Sequence, residues 1–278
     1  MSQNKQQKIP RAEIGVLGGS GFYDLIDDPE EFEIEAEFGR PSDKIMVGKI
    51  DGKRVAFIAR HGKEHSLPPH KIPYKANLMA FKQMGVKRVI SPAAVGSLNP
   101  LIKPGDFVIC DQFVNWNCHR DDTFYNGQAI KGTKKSDRVA HISVADPYCK
   151  ELRRIAVKQN ERYHQNGTVV VIQGPRFSTR AESKFFSNQG WDIINMTIYP
   201  EVVLARELGM CYLNIGLVTD WDAGLEGNKS IKPVSFKELL KVFKANNQRV
   251  KELIFEIIKS LPKERKCGCD KYINEAIV

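Results

Sequence analysis

Short apolar runs rich in Val and Ile alternate along the chain with stretches whose apolar residues recur every three or four positions. That alternation predicts a buried parallel or mixed sheet with helices on its faces. "EIGVLGG" predicts the first strand and "RVAFIAR" (Arg54–Arg60) another. "PYKANLMAFKQMG" predicts a helix opened by Pro73, with an apolar face at Ala76, Met79, Ala80 and Phe81 and a stop at Gly85. Further strands are predicted at "VKRVIS" (Val86–Ser91), "DFVICDQFV", "TVVVIQ" (Thr168–Gln173), "WDIIN" and "MCYLNIGLVTD" (Met210–Asp220). Thr179 and Glu182 make a capping box for a helix ending at Gly190. "PEVVLARELG" is a short helix between Pro200 and Gly209. Ser235 and Glu238 cap a long final helix, whose apolar stripe runs Phe236, Leu239, Leu240, Phe243, Val250, Leu253, Ile254, Ile257, Ile258 and stops before Pro262. The expected architecture is a single α/β domain, a central mixed twisted sheet flanked by helices.

Composition adds bounds rather than structure. The chain has 278 residues, 42% hydrophobic and 27% charged, the profile of an ordinary globular protein. No apolar run approaches the roughly 18 residues that span a bilayer, and the polar start "MSQNKQQKIPRAE" is no signal peptide. A cytoplasmic address without membrane partners is the expectation. The net charge of +9 raises a nucleic-acid reading, but the positives are scattered. The densest clusters, "KGTKK" (Lys131–Lys135) and "KERK" (Lys263–Lys266), fall in apparent loop and tail, so solvated surface is the expectation and an anionic substrate also suits the excess. The six cysteines (110, 118, 149, 211, 267, 269) lack the paired CxxC spacing of zinc sites and read as reduced thiols. "CGC" is the exception: Cys267 and Cys269 are expected to form a disulfide, or to join bridges to Cys149 or Cys211 that tie down the tail.

Polar residues with chemical potential cluster just past the predicted C-terminal ends of strands, the edge where open α/β sheets hold ligands. Ser20 follows the first strand, Arg60 and His61 the second, "SPAAVGS" the third, "NMT" (Asn195–Thr197) a later one and "TDWD" (Thr219–Asp222) another. The glycine loop "VLGGSGFYD" (Val16–Asp24) fails the dinucleotide pattern, since Asp24 stands where a third glycine belongs, and lacks the Walker Gly-Lys-Ser/Thr. Alone it is equally a structural turn. Its hydroxyl and backbone N–H groups can hold a lone phosphate, to which Arg60 adds a forked cation and His61 a second donor. A metal reading of His61, His65 and His70 needs helical spacing, which Gly62, Pro68 and Pro69 oppose. In "TDWD" two aspartates follow the apolar "LNIGLV", so burial and mutual repulsion are expected to raise a carboxyl pKa into proton-donor range. A phosphate site facing a carboxylic acid points to phosphorolysis: phosphate attacks one face of a sugar carbon while the acid protonates the departing base.

The segments "GVLGGSGFYD", "RHGKEHSLPPHKIPYKAN", "PGDFVICDQF", "GPRFSTRAES", "NMTIYPEVVLARELG" and "TDWD" resemble the 5′-methylthioadenosine phosphorylases of the purine nucleoside phosphorylase superfamily. The resemblance runs from about residue 13 to about residue 260, which sets residues 1–12 apart as an extension and 261–278 as a cysteine-bearing tail. It implies the nucleoside phosphorylase fold and a phosphate site of Ser20, Arg60, His61, the Ala93–Ala94 loop and Thr197. It places Met196 at ribose or base, Phe177 against the purine, and Ser178 at a position tied to substrate choice. It assigns Asp220 to protonating purine N7, Asp222 to its support near the 6-amino group, and Phe236 or its neighbours to a 5′-methylthio pocket. It also implies a homotrimer or dimer of trimers in which His141 closes a neighbouring subunit's pocket. Neither a metal nor an organic cofactor is implied; phosphate is a co-substrate. Two departures stand out: Ser20 replaces a common Thr, and Ala93 replaces a common hydroxyl residue, leaving backbone N–H donors there. The rival readings are a 6-oxopurine-preferring phosphorylase, a nucleoside hydrolase using water, and a nucleic-acid-binding protein.

Overall fold

A computed structural model of the chain describes residues 9–22, 24–127, 138–160, 163–224 and 231–278. The basic cluster at 131–135 lies outside these residues. Within them, ten strands make one mixed sheet: β1 (Ile14–Gly18), β2 (Glu30–Phe32), β3 (Ile45–Ile50), β4 (Lys53–Ala59), β5 (Arg88–Ser97), β6 (Phe107–Ile109), β7 (Gln112–Trp116), β8 (Thr168–Ile172), β9 (Ile193–Asn195) and β10 (Cys211–Asp220). Six helices accompany them: α1 (Tyr74–Met84), α2 (Lys150–Val157), α3 (Arg180–Asn188), α4 (Ile198–Glu207), α5 (Phe236–Lys259) and α6 (Tyr272–Ala276). Among the described residues no helix is long and apolar enough to cross a membrane.

The sheet forks, and the fork makes the site. β5 is paired along its length by the parallel β10, which carries β6 on its far side. On its other side β5 is paired by β1 only through Ile90, and by β9 only from Gly96 onward. The strands β4, β3 and β2 continue outward from β1, whereas β8 and β7 continue from β9. Between the two branches the middle of β5 has no strand neighbour on that side. Pro92 sits there, which fits its missing N–H: a proline inside a doubly paired strand would break the ladder. The segment "SPAAVGS", expected to be loop, is therefore strand. Pairing with β10 holds it extended although Pro, Ala and Gly are weak strand formers. The expected run "DFVICDQFV" is likewise two strands, β6 and β7.

The helix signals match their residues. Gly85 ends α1 in the left-handed conformation at φ 86°, and the reciprocal capping box of Thr179 and Glu182 opens α3. Ser235 caps α5 through the Glu238 N–H at 3.3 Å. The apolar stripe of α5 has two fates. Val250, Leu253, Ile254, Ile257 and Ile258 are buried in a core with Leu213, Ile215 and Leu217 of β10, while Phe236 is 51% exposed. Residues 261–278 fold back onto the domain: Leu261 and Cys269 are buried, Arg88 Nη2 donates to Pro262 O at 3.0 Å, and the His141 N–H donates to Ala276 O at 2.9 Å.

Candidate active site

The open side of β5 is the floor of a cavity of about 540 Å³. Pro92 to Gly96, Gly19, Arg60, His61, Met196, Thr197, Asp220 and Asp222 line it, with Phe177 on one wall and Phe236, Leu239, Leu240 and Phe243 of α5 on another. The sequence-predicted residues Arg60, His61, Ala93, Ala94, Thr197, Phe177, Met196, Asp220, Asp222 and Phe236 thus converge on one space. Ser20 opens a single 3-10 turn beside Gly19, and its side chain lies outside the described residues. Ser178 is not part of the lining, and the exposed His141 lies elsewhere, on the segment joined to Ala276.

Arg60 is buried, and its fork is turned inward rather than toward a ligand. Its Nε donates to Glu201 Oε1, and its Nη2 to Leu17 O at 2.8 Å, Ser91 Oγ at 2.6 Å and Glu201 Oε2 at 3.1 Å. Burial opposes the charge, but the adjacent Glu201 carboxylate outweighs it and keeps the guanidinium cationic. Tyr212 OH and Ser91 Oγ donate to Glu201 Oε2 at 2.8 and 3.0 Å, completing a closed network under the cavity. The remaining nitrogen, Nη1, is less engaged, with Pro92 O at 3.3 Å. An anion in the cavity would meet that edge of a guanidinium already paired with Glu201.

Strand geometry decides which alanine can donate. N–H and C=O of one residue point to the same side of a strand, and alternate residues share a side. Pro92 O accepts from Arg60 and Ala94 O accepts from Asn195 Nδ2 at 3.0 Å, so residues 92 and 94 face the open side. Pro92 has no N–H, which leaves the Ala94 N–H facing the cavity and turns the Ala93 amide toward β10. Thr197 is positioned by Asn195, whose Oδ1 accepts from Thr197 N at 2.6 Å, Thr197 Oγ1 at 3.2 Å and Ile198 N at 2.9 Å at the start of α4.

His61 Nδ1 lies 2.9 Å from Leu67 O, and a carbonyl only accepts, so the proton sits on Nδ1. Burial pushes the His61 pKa down to about 4, making the ring neutral near pH 7. Its Nε2 is then an acceptor for a ligand in the cavity that the ring lines. His65 stacks on it with ring centroids 4.1 Å apart and meets the edge of Phe236 at 6.1 Å.

Across the cavity, burial raises the Asp220 pKa to about 6 against the hydrogen bonds it receives, with the Asp222 charge adding to the rise. Asp220 Oδ2 accepts from Thr219 Oγ1 at 2.7 Å and Oδ1 from the Asp222 N–H at 2.8 Å. Asp222 is itself buried and holds φ at 48°, a left-handed conformation that costs a non-glycine residue. Burial raises its pKa too, with the nearby Ser183 and Ser178 hydroxyls acting the other way. Ser178 Oγ comes close without full hydrogen-bond geometry, and Asp222 Oδ2 has no hydrogen-bond partner among the described residues. Gly96 makes room for the pair: a Cβ there would stand 2.9 Å from Asp220 Oδ1 and 2.9 Å from Ile194 Cγ2.

A sequence profile of the phosphorylase superfamily matches residues 13–259. The chain belongs to the phosphorylase superfamily. Within that superfamily it is 50% identical over 260 residues to the S-methyl-5′-thioadenosine phosphorylase of Pyrococcus furiosus, covering 92% of this chain and 95% of that one. It is 45% identical over 266 residues to a purine nucleoside phosphorylase of Streptomyces coelicolor, covering 93% of each. The solved structure of a methylthioadenosine phosphorylase from Schistosoma mansoni in complex with adenine aligns with a TM-score of 0.86 at 30% identity. That alignment covers 96% of this chain and 99% of the other.

The mixed sheet flanked by helices matches the fold of that solved phosphorylase. Several residues of the site carried no recognisable sequence signal. By periodicity Leu239, Leu240 and Phe243 read as core in the α5 stripe, and only the resemblance, which assigned Phe236 or its neighbours to a pocket, pointed to that part of the helix; Glu201 read as one polar position in a short helix. Gly96 read as a loop glycine.

Proposed function

We propose that the cavity carries out phosphorolysis of 5′-methylthioadenosine, and of adenosine, giving adenine and 5-methylthioribose 1-phosphate or ribose 1-phosphate. Phosphate sits against Arg60 Nη1, the Ala94 N–H, Thr197 and His61, with Ser20 beside it. A phosphate oxygen bonds to C1′ as the C1′–N9 bond breaks, and the electron pair leaves with the purine. Asp220 delivers a proton to N7 and is left as a carboxylate. The transition state is oxocarbenium-like, so the chain's work is to place the anion and protonate the leaving group. The observation that carries this reading is a carboxyl raised to about 6 in the same cavity as a buried arginine, beside a strand residue, Ala94, that faces the open side. The names of the Pyrococcus and Schistosoma relatives support it.

The unpartnered Asp222 Oδ2 favours a 6-amino purine. It accepts from an exocyclic N–H, whereas a 6-keto oxygen would set acceptor against acceptor. Phe177 and Met196 suit the base and sugar, and the apolar end of α5 suits a methylthio group better than a hydroxyl. In an assembly of three or six copies, His141 of a neighbour closes that end. The decisive assay is adenine release from methylthioadenosine with and without phosphate. Release in water alone identifies a hydrolase and overturns the reading; phosphate-dependent cleavage of inosine in preference to methylthioadenosine identifies a 6-oxopurine phosphorylase.

A further inference from the structure

Four of the six cysteines meet away from the cavity. Cys149 is the N-cap of α2, Cys211 opens β10, and Cys267 and Cys269 sit in the folded-back tail. Their Sγ atoms all lie within 4.8 Å of one another. Cys149, Cys211 and Cys269 are buried and Cys267 partly so, among Leu152, Ile254 and Leu261. The sulfurs do not divide into two separate couples: Cys211 Sγ is 3.2 Å from Cys267 Sγ, while Cys149 reaches Cys211, Cys269 and Cys267. A thiolate tetrahedron around zinc, with Zn–S about 2.3 Å, has edges of about 3.8 Å, which small side-chain rotations supply.

We propose that Cys149, Cys211, Cys267 and Cys269 form a closed tetrahedral thiolate site for one zinc ion, in place of the disulfide expected between Cys267 and Cys269. Binding converts four thiols and one Zn²⁺ into a tetrathiolate complex of charge −2 and releases four protons, with no oxidation. The surroundings offset that charge. The Arg265 guanidinium stands against Cys211 and Cys267, and the Leu152 N–H in the first turn of α2 points at the Cys149 sulfur. The CxxC spacing expected of zinc sites is missing because three separate elements supply the ligands. Such a site fastens the tail to β10 and α2. Through the bonds from His141 N to Ala276 O and from Val278 N to Val139 O, both 2.9 Å, it also holds the segment bearing His141.

The test is made on the full chain, purified without chelator. Elemental analysis should give about one zinc per chain, released by a thiol-binding mercurial. Denaturation with chelator should then expose all six thiols. Replacing the metal with Co²⁺ should produce strong sulfur-to-cobalt charge-transfer absorption and intense tetrahedral d–d bands. Cys267→Ser should lose the metal, whereas Cys118→Ser, at an exposed position, should keep it. Fewer than six thiols after denaturation, whether or not metal is present, means that cysteines are paired as disulfides and overturns the site. Six thiols without metal after incubation with zinc overturns it too. The wild-type cobalt spectrum decides the matter should Cys267→Ser fail to fold.

Discussion

Asp220→Asn should stabilise the protein while removing its proton donor, and the size of the gain follows from the pKa. The Asp220 carboxyl is raised from 3.8 to about 6, a difference of about 2 units, which at about 1.36 kcal/mol per unit is about 3 kcal/mol against folding once the group ionises. The folded state binds the extra proton between the two values, so wild-type stability from this group is full below about pH 4 and is lost as pH rises through about 6. Asparagine does not titrate and avoids the loss. It also fits: its Oδ1 accepts from the Asp222 N–H as now, and its Nδ2 donates to Thr219 Oγ1. The Thr219 hydrogen then turns to Val95 O, 3.3 Å away. Because that last bond is long, the gain should fall somewhat short of about 3 kcal/mol.

Chemical denaturation of both proteins at several pH values reads the difference directly. The gap between Asp220→Asn and wild type should be near zero at pH 4, open through pH 6 and level off above it. His61, whose lowered pKa makes both proteins lose stability as pH falls below 6.5, cancels in the comparison. Turnover on methylthioadenosine should drop by about 10²–10⁴-fold, the usual worth of general-acid help, with inosine spared because an amide can offer N–H donors to a 6-keto oxygen. A stability gap that does not vary with pH would show that Asp220 is not the raised group. Wild-type turnover in the variant would refute its role.

Gly96→Ala should push the Asp220 carboxylate aside, lowering turnover by about 10²-fold with little change in nucleoside KM; equal turnover would mean that the acid is not held there. Glu201→Gln strips the buried Arg60 of its counter-charge, and should cost about 3–5 kcal/mol in denaturation while raising the phosphate KM. An unchanged phosphate requirement would place the anion away from Arg60. Since neutral His61 presents an acceptor to the P–OH of phosphate, His61→Ala should raise the phosphate KM, and an unchanged KM would remove His61 from the anion site. Light scattering should find trimers or hexamers, and a fully active monomer would remove the role given to His141.

How much of this was legible in the chain depends on whether the signal was local. Strand β1, the caps of α1, α3 and α5 and the strand-end aspartates depend on neighbours in sequence, and their residues announce them. The fork in the sheet does not. "SPAAVGS" carries loop-forming residues and is extended only because β10 pairs with it along its length. Arg60 was visible as a cation, but Glu201, 141 residues away, decides which of its N–H groups remain for a ligand. The cysteines tell the same story: their spacing spoke against a cluster that folding brings within 4.8 Å.

The cavity also concentrates features that are unfavourable by themselves. Asp222 holds a strained φ and a buried oxygen without a partner among the described residues, Asp220 carries a raised pKa, and His61 is kept neutral by burial. None of these strengthens the fold, and each is relieved by one part of the proposed complex. An exocyclic amine satisfies Asp222 Oδ2, a purine nitrogen takes the Asp220 proton, and a protonated phosphate oxygen donates to His61 Nε2. Relief on binding means that ligands select the folded state, so phosphate and adenine together should raise the denaturation midpoint by more than the sum of each alone. The reciprocal charges explain why: phosphate draws the local potential negative, and that raises the proton affinity of Asp220 on the facing wall. Simple additivity of the two midpoint shifts would mean that the anion and the acid do not share one cavity.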